Sequence, residues 1–581
     1  MVRERDGDAG GMAVGRNSYE VQVYKVDHWV LDTRFEDEAQ ARDYGKKLLW
    51  SARAEGYRVV RDWQRPDGRH VETELVSEFR GRGADAIAVS PIDEAPDVCH
   101  RMEEYYGVES RMVMNRLLRG YTERMVVTPT EIMHNYGELK RLRDKDSLVP
   151  SAVGRVAALQ ADRCGGDGRA RRDEIFAVVD AMTERARTAS ARKDLPQIAR
   201  TGIRPAYEAL GDAPAPEERD FLARVVLSRD LVQMRNWLAK LDFLSELVRE
   251  DGGLTDRPLV LVDGVIADVL GAPSVVQDLL GTQRNLAEAL CSVMDLSRGR
   301  LSPAGRSDDD RALQLSELLA FHDLDETRRV LVDLVRRQLR GTPALNRADP
   351  GGERDAFDRV LAAASGPDGL FGGPAMAEAL VRRYMRFLEA GGAPGRRQAI
   401  AEVPARLPDA ADRVRFLMAL AGSDIGRGHA AEVGDALERL TGDAGAFARF
   451  VDRNRPIKDN LEALTRLYRQ VAGSALAEPL RGRLADNVDD LLCAYIQNSR
   501  VVERLDNPED VLRLRANRLI QLCAPGTLQS RKALDIVRRR VIDHLRQPNF
   551  ERRYVADIVD PAMQQRALRD FYALLGQAGF R

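Results

Sequence analysis

The chain has 581 residues, 44% of them hydrophobic, enough to bury substantial cores in about three or four domains. Lysine plus arginine (89) nearly balances aspartate plus glutamate (91), for a formal charge of −2, which argues against a chain built throughout to bind nucleic acid or a membrane surface. Five dispersed cysteines (Cys99, Cys164, Cys291, Cys493, Cys523) with no CxxC spacing exclude a cysteine metal clip and suggest free thiols in a reducing compartment.

Residues 1–17 have no apolar core of signal-peptide length and are expected to be disordered. No later run is apolar enough to span a bilayer, so a soluble, cytoplasmic protein is expected. Residues 18–80 read as a small ββαββ module. In YEVQVYKVDHWVLDTRF, Tyr19, Val21 and Val23 fall on one face, and Trp29, Leu31 and Phe35 are matched to them across a turn at Val26-Asp27-His28. Asp37 caps a helix with Ala41, Tyr44, Leu48 and Ala52 on one stripe. GYRVVRDWQ and RHVETELVSEF are two further strands around a Pro66-Asp67-Gly68 turn.

One helix covers one face of such a sheet, and the other must meet solvent, a second domain or a ligand. Depending on register, that face carries Tyr24, Arg34, Arg58, Asp62 and Glu74, with Trp29 and Trp63 on either side. Trp29, Trp63, Arg34 and Arg58 are therefore the candidate partner-binding residues, since buried Trp and Arg anchors dominate interfaces. Residues 81–93 form a Gly- and Pro-broken linker.

From residue 94 the period is helical: one helical domain over 94–300, a polar linker over 301–311, and a second helical domain over 312–581. Thr128-Pro129-Thr130-Glu131 is a capping box, and residues 216–250 are one long helix or two broken near Ser228. Tetratricopeptide, ankyrin and HEAT-like registers are absent. The fold class is mainly α: the small N-terminal α+β (ββαββ) module followed by an irregular helical bundle or degenerate α-solenoid domains.

Walker-type, G-x-S-x-G and HExxH patterns are missing, and no cofactor follows from the sequence. Asp97-x-x-His100 and Glu131-x-x-His134 are two carboxylate–histidine spacings on predicted helices, near Glu103, Glu104 and Glu138. A helical bundle holds two metal ions with such pairs, although Asp97 and Glu131 also suit helix starts. Asp308-Asp309-Asp310 reads as helix-start acids, and His322 sits in an interhelical turn. Arginine-rich helices between Arg531 and Arg553 offer a salt-sensitive face for nucleic acid or an acidic partner. The leading expectation is a non-enzymatic interaction or regulatory scaffold with an unidentified protein partner. A metalloprotein or enzyme using residues 97–138, and a nucleic-acid-associated regulator, are the alternatives.

Overall fold

The computed structural model describes residues 17–25, 28–51, 54, 56–64, 70–79, 87, 89–92, 94, 96–145, 148–211, 215–250, 256–307, 310–442 and 445–580, without the side chains of 17, 28, 62–64, 70–74, 77, 79 and 250. Residues 1–16, both expected turns (26–27 and 66–68), most of the 81–93 linker, Asp308, Asp309 and the Trp63, Asp62 and Glu74 side chains lie outside that description. The protein is mainly α, 70% helical, with a four-stranded antiparallel sheet at its N-terminal end. Two compact units divide the described chain. The first runs to Gln283 and takes in Asp295–Leu334; the second comprises Arg284–Met294 and everything from Val335.

In the first unit, β1 (Asn17–Lys25), β2 (His28–Phe35), α1 (Glu38–Trp50), β3 (Gly56–Gln64) and β4 (His70–Phe79) follow in the expected ββαββ order, with sheet order β2-β1-β3-β4. Asp37 caps α1 by accepting from the Gln40 amide at 2.9 Å. Val21, Val23, Tyr57 and Val59 bury against Ala41, Leu48 and Leu49 of α1. Gly45 lets the helix approach closely, since a Cβ there would stand 2.1 Å from a Tyr57 ring carbon.

The face assignment of β2 needs a correction. Val21 pairs with Thr33 but Gln22 pairs with Leu31, so Asp32 is an extra residue, a β-bulge. A one-residue slip exchanges faces. Phe35 and Val30 therefore pack toward α1, while Trp29 and Leu31 go with Tyr24 and Gln22 to the other side.

The helical part of the first unit follows the local signals. Thr128 and Glu131 form the reciprocal capping box of helix Pro129–His134. The 216–250 stretch is two helices, Pro216–Leu231 and Trp237–Glu250. Asp256–Leu270 is buried on nearly every side. Among the described residues no single helix is long and apolar enough to cross a membrane; Asp256–Leu270 and Pro273–Leu280 pass that test only as a pair bent by 88°. The polar stretch expected as a linker lies within this unit, where Arg306 donates to the Leu280 carbonyl at 3.2 Å and Asp310 caps helix Arg311–Phe321.

In the second unit each helix packs chiefly on near neighbours in sequence, progressing through Gly373–Tyr384, Ala410–Ala421, Ala430–Gly442, Glu478–Asn498 and Arg531–Leu545. That progression is solenoid-like, and the unequal helix lengths make it irregular. Its C-terminal core gathers Leu492, Leu519, Ile520, Val537, Tyr554 and Phe571.

Candidate functional site

The two carboxylate–histidine pairs have different fates. Asp97 and His100 are exposed and stand before the helix Met102–Tyr105, not on one. The Glu104 carboxylate accepts the His100 amide at 2.7 Å, and the helix starts at Met102, beyond the Asp97 position that suits a helix start. Asp97 pairs with Arg163 at 2.9 Å. Glu131 and His134 are on a helix, as predicted, but deep inside the unit. Both Glu131 oxygens accept from the Lys240 ammonium at 2.6 Å, and Oε2 also accepts the Thr128 amide at 2.8 Å. Glu138 is taken by Arg141 and Arg235. Among the described residues, no group of three or more His, Cys, Asp and Glu side chains is arranged to hold a metal ion.

His134 donates from Nδ1 to the Thr130 carbonyl at 2.8 Å, and its ring packs 5.0 Å from Tyr106 and 5.2 Å from Phe221, centroid to centroid. Burial, reinforced by the nearby Arg224 charge, holds its pKa well below the usual 6.5. The folded state keeps the imidazole neutral where the unfolded chain binds a proton. The stability this contributes is complete above about pH 6.5 and is lost as pH falls below it, by up to about 1.4 kcal/mol per pH unit. Urea titrations at pH 7 and pH 5.5 should show this loss, and His134→Phe should remove most of it; an unchanged pH dependence in the variant would show that His134 is not the group responsible.

Beside this pair lies a second buried network that the sequence analysis missed. Arg111, 1% exposed, donates to Asp268 at 2.8 Å, to the Tyr106 carbonyl at 2.7 Å, to the Gly264 carbonyl at 3.1 Å and to Glu326. Burial opposes the guanidinium charge, but Asp268 and Glu326 outweigh it and raise the Arg111 pKa. Asp268 also accepts from the Thr130 amide (2.9 Å) and hydroxyl (2.6 Å), while Asp263 accepts the Glu326 and Thr327 amides at the start of helix Asp325–Arg340. The available signal was composition: Asp263 and Asp268 interrupt the apolar run LVLVDGVIADVL, and an acid in a helix buried all round must be paired.

Three of the four candidate partner-binding residues, Trp29, Arg34 and Arg58, share one face of the sheet, and the Trp63 side chain lies outside the described residues. A polar ladder crosses the second face of the sheet: Arg34 donates to Glu20 (2.8 Å), Gln22 to Glu20 (2.9 Å), and Arg58 to Gln22 (2.8 Å). Arg58 lies over the Trp29 ring at 4.9 Å. This face is turned onto helices of its own unit, with Trp29 donating to the Arg124 carbonyl at 3.4 Å and Arg58 to the Arg235 carbonyl at 3.1 Å. Between sheet and helices is an open cleft of about 420 Å³. Trp29, Leu31, Arg34 and Arg58 line one wall; Glu123, Val126, Trp237, Asp242, Asp278 and Arg311 line the other. The second wall was not foreseen, because Trp237 sits in an ordinary amphipathic helix pattern.

The remaining candidates are dispersed. His322 is the C-cap residue of helix Arg311–Phe321. In the basic C-terminal helices, Arg540 and His544 turn inward to Asp506, which is fully buried and also accepts from Arg515. Burial by itself would raise the Asp506 pKa, and these donors hold it below the usual carboxylate value instead. Lys532 bonds Asp490 and Arg538 the Ala578 carbonyl. Comparison with protein-family models, curated proteins and solved structures gives no match for this chain.

Proposed function

We propose that the chain is a non-enzymatic interaction protein whose recognition site is the cleft between its N-terminal sheet and the adjoining helices, and that the cleft takes a peptide segment of a protein partner. One observation carries the reading: two indole rings, Trp29 and Trp237, and three arginines line a single cleft of about 420 Å³. Tryptophan and arginine are the residues that most often anchor interfaces, and about 420 Å³ is room for several side chains of an occupant. Acids from both walls, Glu20, Glu123, Asp242 and Asp278, offset the arginines, which suits a segment of mixed charge and apolar anchors better than a polyanion. An occupant touching both walls would also stabilise one arrangement of module and helices, the basis of a regulatory role.

The test is site-specific photo-crosslinking in the native host, from Leu31 on the sheet and from Asp242 on the helices. The same protein should be captured from both positions, and Trp237→Ala should weaken its binding by about 30-fold, the 2 kcal/mol typical of an interface anchor. No capture from either position, or capture indifferent to Trp237→Ala, would defeat the reading.

A further inference from the structure

Two hydrophobic clusters in the first unit adjoin without merging. One includes Val113, Leu117, Leu139, Leu142 and Leu148; the other is Val153, Ala157 and Ile175; Val149 and Val156 border both. Protein interiors are close-packed, and a domain normally shows one contiguous core. Here members of both clusters line a half-open apolar pocket of about 180 Å³. Helices Val108–Leu117, Pro129–His134, Tyr136–Arg143, Leu148–Cys164 and Gly168–Ala191 wall it, and it ends at Asp97, whose side chain is 82% exposed.

The lining decides what fits. The few polar groups at the Asp97 end are already engaged within the protein. Gln160 donates to the Asp97 carbonyl (2.8 Å) and accepts from Arg171 (2.8 Å). Arg171 also donates to Glu174, to the Cys99 carbonyl and to the Tyr105 hydroxyl. Cys99 and Ser110 bond each other, and Asp97 holds Arg163. A charged ligand would give up part of its hydration there and meet polar groups already engaged within the protein. A hydrocarbon meets only favourable surface, and apolar cavities of about 150 Å³ take a molecule the size of benzene. Met114, Met133 and Met182 add unbranched, adaptable walls.

We propose that this cavity is a binding site for a small uncharged hydrocarbon group, either a single aromatic ring or a short alkyl chain. It is distinct from the cleft at the sheet. Toluene, 1-hexanol, hexyl glucoside and benzoate are the probes, titrated into the full-length chain carrying ¹³C-methyl methionine. Toluene and hexanol should bind saturably, shift the Met114, Met133 and Met182 methyl resonances, and leave Met385 and Met563 unmoved. Binding of hexyl glucoside as well would assign the site to the tail of an amphiphile; its exclusion would assign the site to a free small molecule. Ala152→Phe and Val179→Phe, which fill the cavity from two different helices, should each weaken toluene at least tenfold without loss of helical signal. The proposal is overturned if toluene does not saturate, if it shifts only methionines elsewhere, if benzoate binds as well as toluene, or if either folded variant binds toluene like the parent.

Discussion

Replacing Arg111 with methionine should lower the unfolding free energy of the first unit by about 3–5 kcal/mol, the usual consequence of removing one partner from a buried ion pair. Two carboxylates share that guanidinium. Glu326 keeps 22% of its side-chain surface and can relax toward water, whereas Asp268, at 4%, cannot. Most of the loss therefore belongs to Asp268, which would be left beside the Thr130 donors with no cation. Asp268→Asn retains an acceptor for those donors, so Arg111→Met/Asp268→Asn should recover part of the loss. All four tryptophans of the chain (29, 50, 63 and 237) are in the first unit, so indole fluorescence in urea reports this unit separately from the second. The midpoint of thermal unfolding should fall on the order of 10 °C. A loss under about 1 kcal/mol, the range of a solvent-exposed pair, would mean that the Arg111 network is not sealed from water.

The same residue marks the limit of what was legible in the sequence. Local signals carried well: the Thr128–Glu131 capping box, the Asp37 cap and the ββαββ order each depend on residues within a few positions of one another. Alternation along β2 misled, because the bulge at Asp32 leaves no trace in the residue pattern yet reverses the face of Trp29 and Leu31. Arg111 and Asp268 are 157 positions apart, and Lys240 and Glu131 are 109 apart. Periodicity distinguishes a helix's buried stripe from its wet one but does not say which distant charge meets which. Glu131 shows this most clearly: its capping role was visible and its larger role, as the counterion of a buried lysine, was not. The cleft at the sheet was half legible for the same reason, Trp29, Arg34 and Arg58 of its sheet wall being named by composition and its helix wall only by packing.

Lys240 carries the second large effect, and it connects stability to the cleft. Its side chain is fully buried, as is that of Glu131, and it donates to the Val126 carbonyl at 2.7 Å as well. Burial pulls the Lys240 pKa below its ordinary value while the Glu131 charge opposes the change. Val126 is a β-branched residue held at φ 51°, a conformation that costs of order 1–3 kcal/mol unless its surroundings enforce it. The Lys240 bond is one of those enforcing contacts, and Val126, Trp237 and Ala239 line the cleft directly above it. Lys240→Met should therefore cost about 3–5 kcal/mol. Glu131→Gln alone should cost less, because the amide oxygen still accepts the Thr128 amide. In the double variant the two effects should fall short of their sum by at least 1 kcal/mol, the signature of a direct pair. Strict additivity in that cycle would separate the two charges energetically despite their contact. At temperatures where Lys240→Met remains folded, partner capture from Leu31 should weaken while toluene binding in the other cavity holds. Equal loss of both would instead mean that the pair supports the unit as a whole, and the cleft only as part of it.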